Sequence, residues 1–462
     1  MKKAKIGLLP LYIKLYDDVG LADLHADLVK FYESIVKGFE DKGIEVVRTG
    51  DLCCVNAEIK AAVDMFEAEK VDCIVTWHAA YHPSLESNEI LAGTKLPIII
   101  MDTTEAYDFG PAQSPDFVNL CHGIHGVMDM TNLLMRAGKP YAIAAGHYPT
   151  SDVIDRVIGY IKASVAATSL AGSKVGTVGG SFAGMGDFLV SDEEMKDRFG
   201  VEVIYNGKDL VPLKASVTEE EVKTEVAKDL EECVVIGDID PEVHKKTARN
   251  CLAVRKWIEE KKLDAFTVNF RQIIPEDGLE IMPFMEACKQ MAAGIGYAGE
   301  GDVLTAAFTG ALIKGFDTAT FVEIFCPDWR GNTVFLSHMG EYNRALAAGK
   351  PELKQIPFVF GDADEPVVTY GRYKGGDAVF VNVFRDQDDF SMLIAPVEMQ
   401  DTVEDNFTGV VRGWMKPTMP VGDFLETISR HGVTHHSSLV YGAKPEELEF
   451  FAKLLGLKPI RI

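Results

Sequence analysis

The chain has 462 residues, beyond the size at which one hydrophobic core keeps growing, so two or three domains are expected. Its 47% apolar and 25% charged residues match a folded chain and exclude a disordered one. With 70 acidic against 46 basic residues the formal charge is -24, a field that repels phosphodiester backbones and anionic membranes, so neither nucleic acid nor membrane is an expected partner.

The first residues read MKKAKIGLLPLY, where three lysines precede a short apolar run broken by Pro10. That run reads as a buried strand rather than a secretion signal. No segment reaches the roughly 18 uninterrupted apolar residues of a membrane helix, and a cytoplasmic protein is expected. Strand-like Lys5–Leu9 is followed by a helical pattern from Leu21 to Phe39, then by a strand at Ile44–Val47. A helix at Asn56–Ala68 leads to strands at Cys73–Thr76 and Leu96–Met101. Short apolar runs separated by helices predict a covered parallel sheet. Two of these runs end in VTWHAAYH and IIIMDTTE, at the edge where open sheets gather ligand groups, which makes His78 and His82 candidates.

A second α/β pattern begins near Gly172, with KVGTVGG as a strand, VEVIY at 201–205, VVIG at 234–237, a helix after Pro241 and a strand at Asp264–Val268. The glycines at 176, 179, 180, 184 and 186 do not spell GxGxxG, so they read as a sheet-edge turn and a nicotinamide enzyme is a minor alternative. From about 327 the texture changes to TVFLSH, FVFGDAD, PVVTYGRYKGGDAVFVNVFRD and SMLIAPVEM, strand following strand. An amphipathic helix at Pro445–Leu455 closes the pattern. The expected architecture is α/β: two Rossmann-like open parallel-sheet domains, 1–170 and 171–326, followed by a mainly β C-terminal domain, 327–462.

The eight cysteines include no CxxC pair, which disfavours zinc-ribbon and iron-sulfur sites and reads them as small buried hydrophobes. Chemistry gathers elsewhere. GIGYAGEGDVLTAAFTGAL places Glu300 and Asp302 in a glycine-rich turn before a helix, where a carboxylate is favoured electrostatically. Glu323 lies in the apolar run TFVEIF, where an unpaired carboxylate is costly and something must compensate it. His338 follows VFLS, and His435 and His436 occupy GVTHHSSL. Two carboxylates with His338 and one histidine of that pair suit Mn²⁺, with Mg²⁺ or Co²⁺ as alternatives, and the missing thiolates argue against structural zinc.

These segments resemble the L-arabinose isomerase and L-fucose isomerase superfamily, most closely the arabinose isomerase branch. The resemblance rests on GYAGEGD at 296–302, the Glu323 and His338 strands, WMKP at 414–417 and THHS at 434–437, and more loosely on GMGDF at 184–188 and LCHG at 120–123. It implies a Mn²⁺ ion held by Glu300, Glu323, His338 and His436, with the two glutamates sharing proton transfer between C1 and C2 of an aldose through a cis-enediolate. It also implies a homo-oligomer, a hexamer by preference, whose sites are completed by a histidine of a neighbouring subunit: His122 in CHGIHG, with His125 as its rival. The implied substrate is a neutral monosaccharide, an L-pentose or 6-deoxyhexose. LLPLYIKLYDD at 8–18 departs from the polar patterns of both branches, so an altered specificity is expected. A nonenzymatic sugar-binding protein on the same sheets is the alternative of a different class.

Overall fold

The computed structural model describes residues 3–387, 389–401 and 404–462. The chain divides into two compact units, the first ending at Thr168 and the second running from Ser169 to Ile462.

In the first unit, β1 (Lys5–Leu11), β2 (Glu45–Arg48), β3 (Cys73–His78), β4 (Ile98–Asp102) and β5 (Tyr141–Ala145) form one parallel sheet in the order β2-β1-β3-β4-β5. β1 and β3 are continuous apolar runs because helices cover both faces, and β3 is buried from end to end. The helix Ala22–Asp41 turns Leu28, Phe31, Tyr32, Ile35, Val36 and Phe39 inward at helical spacing. The strand order reverses between β1 and β3, and His78 is the last residue of β3 at that edge.

The second unit opens with β6 (Lys174–Val178), β7 (Glu202–Tyr205), β8 (Val234–Val235), β9 (Ala265–Val268) and β10 (Gly296–Gly299). Four of these make a parallel sheet in the order β10-β9-β6-β7. The expected VVIG strand does not join it. Both valines of β8 are exposed, and they pair instead with β13 (Glu352–Gln355), which also pairs with β14 (Val367–Tyr370).

The remaining strands are β11 (Ala319–Asp328), β12 (Thr333–Ser337), β15 (Gly376–Arg385), β16 (Phe390–Met399), β17 (Gly413–Pro417), β18 (His436–Tyr441) and β19 (Lys458–Arg461). They run in the order β15-β18-β11-β12-β17-β16-β19, and a ten-residue pairing of β15 with β16 closes the first six into a small antiparallel barrel. β19 lies outside the ring, parallel to β16. The barrel takes in β11, which begins at Ala319 and runs through position 327. FVFGDAD forms no strand: Val359 and Phe360 are exposed, and the rings of Phe358 and Phe360 gather around Phe270.

Six of the cysteines are buried; Cys121 is half-buried and Cys326 is exposed, which corrects the uniform expectation. Among the described residues no helix is long and apolar enough to cross a membrane.

Candidate metal centre

Three neighbouring barrel strands bring together three of the four candidate side chains. In the antiparallel register Glu323 of β11 stands opposite His436 of β18 on one side and Ser337 of β12 on the other. Directly opposed residues project to the same face, so register alone brings the Glu323 carboxylate and the His436 ring together. His338 follows β12 by one residue, and its Nε2 lies 3.6 Å from Glu323 Oε2. A bulge between Ile324 and Cys326 then bends β11 away as it becomes exposed.

Glu300 arrives from the sheet. β10 ends at Gly299, Glu300 itself adopts φ +64°, Gly301 follows at φ +80°, and Asp302 caps the helix Val303–Phe316. A side chain at 301 is impossible without movement, because its Cβ would stand 2.1 Å from the Gly180 carbonyl oxygen. A Cβ at 299 would stand 2.8 Å from Cε1 of His338. The glycines therefore let the turn approach its neighbours while Glu300 projects, with Oε2 3.4 Å from His436 Nε2. A positive φ at a non-glycine residue stores strain, and here it coincides with the carboxylate that reaches the cluster.

Each of the two buried imidazoles is braced from behind by a carboxylate. Asp302 accepts the Thr305 main-chain N–H at 2.8 Å with one oxygen, and its other oxygen lies 3.0 Å from His436 Nδ1. Asp302 is thus both the expected helix cap and a partner of the site. Glu341 lies 2.5 Å from His338 Nδ1 and also accepts from the Tyr297 hydroxyl at 2.8 Å. Both rings consequently turn Nε2 toward Glu300 and Glu323. His436 Nε2 is buried without a hydrogen-bond partner, a costly state that a cation would satisfy. Ring nitrogens backed by carboxylates and facing further carboxylates are the arrangement expected of a divalent ion bound through N and O donors. Ligand atoms lie within 4.8 Å of one another in two groups that share His436: Glu323 with His338, and Glu300 with His435.

The electrostatics of the two glutamates differ. Burial opposes the charge on Glu300, yet His435 and His436 outweigh it and hold the carboxyl well below its ordinary range. Burial raises Glu323, and the nearby imidazoles only partly offset it. Burial alone would lower His436, but Asp302 and Glu300 push it up to about 10. Phe188 stacks on the His436 ring at 5.1 Å and 13°, and Phe321 meets the rings of His338 and His436 edge-on.

The four residues expected as ligands fall into two neighbouring groups joined at His436, Glu300 in one and Glu323 with His338 in the other. The sequence reading chose one histidine of the 435–436 pair, whereas the structure brings both to Glu300: His435 Nε2 lies 3.4 Å from Glu300 Oε2. Glu341 and Asp187, the partner of His435, also escaped it. Glu341 lies three residues after His338, and that short spacing from a candidate ligand histidine is the signal the sequence offered.

The remaining candidates lie in the first unit. His122 precedes the helix Gly123–Arg136 with Nε2 2.8 Å from the Tyr16 hydroxyl, and His125 is exposed. His82 is buried with Nδ1 2.9 Å from the Tyr12 carbonyl oxygen. His78 is buried with neither ring nitrogen bonded, and burial, reinforced by His82, pulls it down to about 3.

Comparison with known proteins places this geometry in a lineage. The L-arabinose isomerase central domain family matches residues 190–315, and the L-arabinose isomerase C-terminal domain family matches residues 318–458. The two together span more than half of the chain. An L-arabinose isomerase from Levilactobacillus brevis is 26% identical over 416 residues, covering 84% of either chain. One from Leuconostoc mesenteroides is 27% identical over 414 residues, covering 85% of either chain. One from Clostridium beijerinckii is 25% identical over 419 residues, covering 87% of this chain and 83% of its own. Glu300, Asp302, Glu323, His338 and His436 all fall inside the two matched domains, and the chain belongs to the L-arabinose/L-fucose isomerase superfamily.

Proposed function

We propose that this protein is a metal-dependent aldose-ketose isomerase acting on a neutral sugar, an L-pentose or 6-deoxyhexose, through a cis-enediolate. One observation carries the reading: Glu300, Glu323, His338 and His436 converge from four separate segments, with both imidazoles backed by buried carboxylates. Family membership supports the same reaction class.

Glu300, Glu323, His338 and His436 would hold the ion, Mn²⁺ by preference and Mg²⁺ or Co²⁺ as alternatives. When bound it supplies polarisation of the sugar carbonyl and acidification of the adjacent hydroxyl. Asp302 and Glu341 keep the two rings from rotating, so Nε2 of each stays on the site. Glu300 and Glu323 hold the transferred protons: one carboxylate oxygen takes the proton from C2 of the aldose and returns it to C1. The other carboxylate handles the hydroxyl proton. The rings of Phe188 and Phe321 keep water from the imidazoles.

The neutral substrate is favoured because the segments 176–188, 296–302, 318–326, 333–341 and 433–438 contain no arginine or lysine to clamp a phosphate. The relatives' substrate, L-arabinose, heads the queue, and the altered 8–18 segment favours a specificity of its own. The reading extends to a homo-oligomer, a hexamer by preference, with His122 serving a neighbouring site and His125 as its rival. The test is a panel of neutral and phosphorylated aldoses and ketoses with Mn²⁺ in deuterated water. Turnover of a neutral sugar with deuterium entering at C1 or C2 is expected. Turnover confined to sugar phosphates would overturn the neutral substrate, and full activity in verified metal-free protein would overturn the mechanism.

A further inference from the structure

We propose that Asp187 is a positioning residue of this centre, holding the His435 ring so that its Nε2 is presented to the Glu300 carboxylate. Its expected effect on turnover rests on the isomerase reading above; its effect on the ring does not.

A single oxygen of Asp187, Oδ2, accepts from the His435 main-chain N–H at 2.9 Å and lies 2.7 Å from His435 Nδ1. An ionised carboxylate only accepts, so Nδ1 must carry a proton. Nε2 is thereby the nitrogen left to face Glu300 Oε2 at 3.4 Å. Unlike His436, whose ring is enclosed, the His435 side chain is 33% exposed, with the Phe188 and His436 rings beside it at 5.5 Å and 4.3 Å between centroids. Ring packing leaves open which nitrogen faces Glu300, and the Asp187 carboxylate sets it.

Asp187 is itself held by the centre. It belongs to the segment 182–188, in which the Phe182 N–H donates to the Glu300 carbonyl at 2.9 Å and the Phe188 ring stacks on His436. The neighbouring Gly180 carbonyl is the group that forbids a side chain at Gly301. The segment and the Glu300 turn therefore order one another, and Asp187 extends that order to the His435 ring, which also packs beside Phe188 and His436. Asp187 is the aspartate of GMGDF at 184–188.

The test compares wild type with Asp187→Ala and Asp187→Asn, using crystal structures, calorimetric titration of the metal-free protein with Mn²⁺, melting temperature and steady-state kinetics on the best neutral sugar. In Asp187→Ala the His435 ring is expected to leave Glu300, the melting temperature to change little, and kcat to fall about 10- to 100-fold with KM nearly unchanged. Asp187→Asn retains an acceptor oxygen and is expected to restore the ring and most of the turnover. A His435 ring still facing Glu300 in Asp187→Ala, or unaltered turnover and Mn²⁺ affinity with the ring displaced, would overturn the proposal. A wild type that binds no Mn²⁺ would defeat the isomerase reading, and the ring position would then decide this one alone.

Discussion

Glu323 and His436 face one another across the ladder between β11 and β18, at the first residue of β18. Asn382 secures that start: its Nδ2 lies 2.8 Å from the Thr434 and His436 carbonyl oxygens, and its Oδ1 accepts the Thr434 N–H at 3.2 Å. A slip of β18 by one residue would turn His436 to the face opposite Glu323 and dissolve the centre.

In the proposed reaction the glutamates act through charge and a proton-accepting oxygen, so Glu300→Gln and Glu323→Gln are expected to keep the fold and lose activity. A fall of about 10²- to 10⁴-fold in turnover is anticipated for lost acid-base assistance. Circular dichroism should match wild type. Near-normal turnover in either metal-loaded variant would remove that glutamate from the chemistry.

Asp302 and Glu341 brace the imidazoles but differ in their second duty. Asp302→Ala removes a helix cap as well, costing about 1 kcal/mol of stability. Glu341→Gln leaves an oxygen for His338 Nδ1 and should spare stability while weakening Mn²⁺ binding about 10- to 100-fold. Titration calorimetry beside urea denaturation separates the two effects. Unchanged Mn²⁺ affinity in both variants would contradict the bracing role.

Gly301→Ala forces a Cβ to within 2.1 Å of the Gly180 oxygen at φ +80°. The turn must move, at a cost of about 1–3 kcal/mol for strained backbone alone. Since Glu300 precedes it, turnover is expected to fall even at temperatures well below the variant's melting point. A variant as stable and as active as wild type would show that the turn tolerates a side chain.

Acid stability is expected to depend on a buried network away from the centre. Burial opposes the charge on Glu225, but Arg255 and Lys289, bonded at 2.6 Å each, hold its carboxyl down at about 2. A folded value below the unfolded 4.5 contributes stability that is complete above the unfolded value and is lost as pH falls toward 2. The contribution is on the order of 3 kcal/mol. Urea midpoints should drop between pH 5 and pH 3, and Glu225→Gln should start lower at pH 7 and flatten that drop. An equally steep profile in the variant would place the acid sensitivity elsewhere.

Much of the site could be read along the chain because its pieces are local. The bend of GYAGEGD, a carboxylate inside TFVEIF and a histidine after VFLS each announce an unusual demand within a few residues, and the turn before a helix at Glu300 formed as expected. The parallel sheets followed from buried runs alternating with amphipathic helices. VVIG and FVFGDAD have the same apolar look as true strands, yet one leaves its sheet and the other pairs with nothing. Strand propensity describes a segment, whereas pairing depends on which edge is vacant when the chain folds.

What the sequence determined alone was therefore the family resemblance, the residue types of the candidate site and the alternation of elements that carries them. Tertiary structure decided which groups meet. Asp187 and His435 are 248 residues apart, and no periodicity relates them. Closure of β15 on β16 makes a ring whose register sets Glu323 against His436, and the sheet's Glu300 turn delivers the other carboxylate. Propensity and burial pattern act between near neighbours, but ladder register and close backbone approach exist only between segments the fold has already brought together.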